Sequence, residues 1–97
     1  MKKFKILIVD DEPDIVTTVH DQLEADGFET VAASEGVRAI EMAHRQKPDL
    51  ILLDLKMPAG TGQAVLRALR SRPDTEKIPI IVLTALQGPQ LEKEVRK

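Results

Sequence analysis

Four short apolar stretches punctuate the chain, at Lys5 to Val9, Phe28 to Ala33, Leu50 to Leu53 and Ile78 to Leu83. Continuous apolar runs of this length predict strands covered on both faces. Phe28 to Ala33 is interrupted by Glu29 and Thr30, so it reads as an edge strand with one wetter side. Between the stretches apolar residues recur at helical spacing: Ile15, Val16, Val19 and Leu23, then Val37, Ile40 and Ala43, then Val65, Leu66 and Leu69.

The punctuation agrees with this alternation. Pro13 suits the first turn of a helix, and Asp26-Gly27 supplies a left-handed stop. Ser34 is placed to cap the second helix, which must end before Lys47-Pro48. Gly60-Thr61-Gly62 reads as a turn and the start of the third helix, and Gln87-Gly88-Pro89 opens a short last one. Pro79 lies near the start of the fourth strand, where a missing N–H is tolerated. Strand and helix alternating four times predict an α/β fold, a doubly wound parallel sheet with helices on both faces.

Composition narrows the possibilities. With 97 residues, 42% of them hydrophobic, the chain is enough for a single small domain. The absence of cysteine excludes a disulfide framework and any thiolate ligand or nucleophile, and it fits a cytoplasmic protein. A net charge of −2 gives no electrostatic case for direct nucleic-acid contact, and two phenylalanines as the only aromatics exclude a base-stacking platform. The apolar run after the basic start is too short for a signal peptide, and nothing predicts a membrane span.

The candidate chemistry sits where strands end. In a parallel sheet Asp10 and Asp11, Asp54 and Thr84 follow the first, third and fourth strands, so all lie at the carboxyl edge, where open α/β sheets build their sites. Three carboxylates held together repel unless a proton or a cation intervenes, and an all-oxygen donor set suits Mg2+. Next to such a cation a carboxylate can be a ligand, a base or a nucleophile; the nucleophilic role for Asp54 goes with phosphoryl transfer, with Thr84 bonding a phosphoryl oxygen. Glu12 and Asp14 read as stabilising the first helix's N-terminus. His20, His44, Arg67, Arg70 and Arg72 read as solvated.

Taken together, Asp10-Asp11, Asp54, Lys56-Met57-Pro58, Gly60-Thr61-Gly62 and Thr84-Ala85 resemble the receiver domain of two-component response regulators, from Lys5 to the end of the chain. The resemblance implies a flavodoxin-like receiver fold with strand order 2-1-3-4 and a cytoplasmic signalling switch that is not a turnover enzyme. It implies Asp54 as phosphoacceptor, Asp11 and Asp54 as direct Mg2+ ligands, Asp10 as a ligand through water, the Lys56 backbone carbonyl as another, and Thr84 as the switch hydroxyl beside a small Ala85. The partner would be a sensor histidine kinase or phosphotransfer protein. The family continues into a fifth strand, a lysine and a fifth helix that this sequence does not supply, so residues 1–97 are expected to form one receiver domain incomplete at its C-terminus. Lys93 and Lys97 fall in the last-helix pattern and are not assigned the lysine's role. The fourth strand is then expected as an open edge able to self-associate.

Other functions fit less of the pattern. A phosphatase of the haloacid dehalogenase type carries Asp-x-Asp after its first strand, and Asp10-Asp11-Glu12 lacks that spacing. A flavodoxin-type flavin site needs a hydroxyl- and glycine-rich loop where this chain is acidic. Gly60-Thr61-Gly62 lacks the Gly-Lys-Thr ending of a P-loop. The remaining alternative is an interaction or oligomerising module derived from a receiver that is not phosphorylated.

Overall fold

A computed structural model describes residues 3–57 and 61–83. Strands β1 (Lys5–Val9), β2 (Glu29–Ala33), β3 (Leu50–Leu53) and β4 (Ile80–Val82) alternate with helices α1 (Pro13–Ala25), α2 (Gly36–Gln46) and α3 (Thr61–Arg70). All strand pairs are parallel, in the order β2-β1-β3-β4. β2 is therefore an edge strand, as its mixed composition predicts, and β1 and β3 occupy the middle. The expected last helix and Thr84 lie outside the described residues.

Because side chains alternate across a strand, the sheet sorts its apolar residues into two cores. Leu7, Val9, Ile51 and Leu53 face the side that α2 and α3 cover, packed with Ala39, Ala43, Val65 and Leu69. Ile6, Ile8 and Leu52 face the other side, together with Leu83 and against Val16, Val19 and Leu23 of α1. Strands this apolar have no wet face, which is why they read as unbroken runs. Gly27, in the left-handed region at φ 94°, stops α1 as predicted. Phe28 then stacks edge-on against Phe4, with ring centres 5.7 Å apart.

Two readings of α2 are corrected. The helix starts at Gly36 with Glu35 in the capping position and no side-chain cap bond, so Ser34 lies one residue too early to cap it. Its buried residues are Gly36, Ala39 and Ala43, while Val37 is 82% exposed. Small residues let the helix lie close to the sheet, so the larger apolar residue falls on the outer face. α2 ends at Gln46, whose carbonyl accepts from the Lys5 ammonium at 3.2 Å, and Lys47 follows in a left-handed conformation at φ 47°.

The fourth strand is shorter than predicted, running only from Ile80 to Val82. Pro79 still serves the sheet through its carbonyl, which accepts from the Ile51 N–H at 2.9 Å. The loop before it is anchored at two points. Thr75 is buried with its hydroxyl donating to the Leu69 carbonyl at 2.8 Å, and the Arg70 guanidinium donates to the Glu76 and Ile78 carbonyls at 2.6 and 3.0 Å. Arg70 is thus a strut for the loop, where the sequence read only a solvated residue.

Candidate functional site

Parallel register brings the ends of β1 and β3 side by side, with Val9 opposite Leu53. The residues that follow are therefore neighbours: the Asp54 N–H donates to the Val9 carbonyl at 2.9 Å, and the Asp10 N–H to the Ala33 carbonyl at 3.1 Å. Each strand extends its ladder by one bond and then leaves the sheet with a carboxylate. Asp11 comes next on the same loop. Ligand oxygens of Asp10, Asp11 and Asp54 all lie within 4.8 Å of one another.

The carboxylates are held by their own backbones. One oxygen of Asp10 accepts from the Glu12 N–H at 3.0 Å, and one oxygen of Asp54 accepts from the Lys56 N–H at 2.9 Å. Both are turns closed by an aspartate on the amide two residues ahead, a local device that fixes the side chain's direction. The second oxygen of Asp10 is buried with no hydrogen-bond partner among the described residues. Buried polar atoms are nearly always satisfied, so this orphan is an acceptor in want of a donor or a cation.

Electrostatics point the same way. Asp10 is 1% exposed and Asp54 4% exposed, while Asp11 faces solvent. Burial raises the Asp10 carboxyl to a pKa of about 6 against the Glu12 amide, which lowers it, and the Asp54 charge pushes it further up. Two full charges within 4.8 Å repel by about 3.5 kcal/mol or more at an effective dielectric of about 20. Bringing a hard divalent cation to the oxygens relieves that repulsion, satisfies the orphan atom, and matches a donor set made only of oxygen. The residues present fit Mg2+.

Of the residues singled out from sequence, Asp10, Asp11 and Asp54 converge, and Lys56 joins them through its amide on Asp54. Thr84 and Ala85 lie outside the described residues. Glu12 and Asp14 are exposed at the start of α1 and are not in the cluster. His20 bonds Thr30 and His44 bonds Asp74, both on the exposed surface, and neither histidine belongs to the cluster of three aspartates. Gly62 was read only as turn or helix start, yet a Cβ built on it would lie 2.6 Å from both the Asp54 carbonyl oxygen and the Leu55 Cα. The signal available in the sequence was a second glycine, Gly62, placed inside a helical pattern.

Comparison with known proteins agrees with this geometry. The family profile of the response regulator receiver domain matches residues 6–97. The chain is 42% identical over 84 residues to the response regulator PleD of Caulobacter vibrioides, covering 87% of this chain and 18% of PleD. It is 43% identical over 81 residues to the alkaline phosphatase synthesis transcriptional regulatory protein PhoP of Bacillus subtilis, covering 84% of this chain and 33% of PhoP. The chain thus spans a third or less of the length of these relatives. Among solved structures, the receiver domain of the Pseudomonas aeruginosa sensor histidine kinase PA1611, with magnesium coordinated in its active-site cleft, superposes with a TM-score of 0.79 at 31% identity, covering 92% of this chain and 75% of that one.

Proposed function

The chain belongs to the response regulator receiver family, and from that premise we propose that Asp54 accepts a phosphoryl group in a Mg2+-dependent reaction and that the new charge switches the domain between two conformations. The observation that carries this reading is the convergence of Asp10, Asp11 and Asp54 at adjacent strand ends, two buried and one exposed, with an unsatisfied oxygen among them. Asp10, Asp11, Asp54 and the backbone carbonyl of Lys56 would hold Mg2+, and the bound ion would supply neutralisation of the negative charge on the incoming phosphoryl group.

The chain's own residues do the rest. The Lys56 amide holds one Asp54 oxygen and so fixes the carboxylate's direction before the donor arrives. An Asp54 oxygen attacks phosphorus in line, an O–P bond forms as the donor's P–N or P–O bond breaks, and the electron pair leaves with the donor. No general base is needed, because a carboxylate is already deprotonated. Thr84 follows the phosphoryl group in this scheme; its position lies outside the described residues, and its role rests on the resemblance.

The donor is a sensor histidine kinase or a phosphotransfer protein, and the site of action is the cytoplasm. The domain acts as a switch and assists its own phosphorylation and dephosphorylation, without turning over an outside substrate. No helix among the described residues is long and apolar enough to cross a membrane. Self-association would use the outer edge of β4, Ile80 to Val82, since β4 pairs only with β3 among the described strands. Incubation with acetyl phosphate tests the proposal: wild type should take up a hydroxylamine-labile phosphoryl group with Mg2+ and lose the reaction in EDTA, and Asp54→Asn should take up none. Equal labelling of wild type and Asp54→Asn would overturn it.

A further inference from the structure

Gly62 lies in the first turn of α3, where glycine is a poor helix former and the sequence pattern offers no reason for it. The reason is the neighbouring backbone. A Cβ at this position would stand 2.6 Å from the Asp54 carbonyl oxygen, 2.6 Å from the Leu55 Cα and 3.1 Å from the Leu55 carbonyl carbon, against the 3.4 Å at which ordinary van der Waals contact begins. All three atoms are backbone, so no side-chain rotation relieves the contact. We infer that Gly62 is a positioning residue for the phosphoacceptor: by lacking a side chain it lets the N-terminus of α3 press on the peptide that carries Asp54, and so sets the aim of that carboxylate.

This inference rests on the reading of Asp54 as acceptor and metal ligand and adds how the carboxylate is held in place. What must move if a methyl group is added decides the outcome. α3 is clamped by Val65 and Leu69, both fully inside the core, and at its far end by the buried Thr75 hydroxyl on the Leu69 carbonyl. Among the described residues, the ladder of β3 ends at the Asp54 N–H, so the peptide linking Asp54 to Leu55 lies past it. Retreat of the helix would open the core, a larger loss than bending one peptide at the end of a strand. The loop therefore yields, and it takes with it the turn in which the Lys56 amide holds the Asp54 carboxylate. A displacement on the scale of an ångström is enough to spoil a preorganised site.

Gly27 provides the control. Its φ of 94° makes any substitution strained, yet nothing lies within 4 Å of a Cβ built there. Gly27→Ala should therefore destabilise the fold without touching the site. Mg2+ affinity is measured by calorimetry, since the chain has no tryptophan or tyrosine for fluorescence, at a temperature where circular dichroism shows each variant folded. Gly62→Ala should bind Mg2+ about tenfold more weakly or worse and take up phosphoryl groups more slowly from acetyl phosphate, while Gly27→Ala should match wild type in both. Gly62→Ala affinity within twofold of wild type, or an equal loss in Gly27→Ala, would overturn the inference. Backbone NMR of the metal-free proteins provides a readout independent of the cation. Amide shifts at Asp54 to Lys56 should move in Gly62→Ala and stay in Gly27→Ala, and their constancy in Gly62→Ala would likewise overturn it. Wild type that binds no Mg2+ while those shifts still move would sink the metal reading and leave the positioning role standing. If Gly62→Ala does not fold alone, the shifts are read in an Asp10→Asn background, where the strained buried charge is gone.

Discussion

At the scale of single residues, the proposed site rests on two buried carboxylates, Asp10 and Asp54, held beside a third, Asp11, that faces solvent. Asp10 makes this measurable. Its pKa is raised from 3.8 to about 6 by burial, opposed by the Glu12 amide and reinforced by the Asp54 charge, so the folded protein holds a proton more tightly than the unfolded chain. The stability this contributes is complete below about pH 4 and is lost as pH rises through about 6. The two-unit shift corresponds to at most about 3 kcal/mol. Asp74 runs the other way on the surface, where its bond to His44 keeps the carboxyl below its usual range, so that small stabilisation is lost as pH falls. In EDTA, Asp10→Asn is therefore expected to be more stable than wild type at pH 7, with the difference shrinking toward pH 4; thermal melts across that range check it, and a constant or growing difference toward low pH would contradict it. The positions of Asp10, Asp11 and Asp54 were legible from strand ends alone, because an acid after an unbroken apolar run has few other places to be. The role of Gly62 was not, because close approach between a helix start and a strand end is a fact of three-dimensional packing that leaves no periodicity in the chain.

At the scale of elements, the legible parts were those written in large apolar residues and strong punctuation. β1, β3 and α1, with Pro13 and Asp26-Gly27 at its ends, fall where the pattern places them. α2 shows how the reading fails. Its inner face is made of Gly36, Ala39 and Ala43, whereas the larger apolar Val37 points outward. No apolar spacing marks the segment between α3 and β4, yet Thr75 is as buried as any core residue and caps the helix end through the Leu69 carbonyl. Thr75→Val keeps the shape and removes the donor, leaving a buried carbonyl short of a partner, so it should cost about 1–3 kcal/mol. Chemical denaturation measures this as a lower midpoint at unchanged slope; a midpoint equal to wild type would show that the hydroxyl bond holds nothing.

At the scale of the whole molecule, parallel register links fold and function, since it is the pairing of Val9 with Leu53 that delivers Asp10 and Asp54 to one point. The same placement gives the metal-free domain an internal repulsion that a bound divalent cation would relieve. Mg2+ at about a hundred times its dissociation constant should add about 2.7 kcal/mol, raising the melting temperature of a domain this small by roughly 10 °C or more. Asp54→Asn should lose most of that rise, and a rise equal to wild type would place the cation elsewhere. The central claim is that Asp54 itself receives the phosphoryl group, and the most direct measurement locates the bond. After reaction with acetyl phosphate and Mg2+, borohydride reduction converts an aspartyl phosphate to homoserine, and tandem mass spectrometry of the peptides reports which residue changed. The account predicts homoserine at position 54 and at no other aspartate, with none formed in EDTA; conversion at Asp10 or Asp11, or none anywhere in folded protein with Mg2+ present, would contradict it.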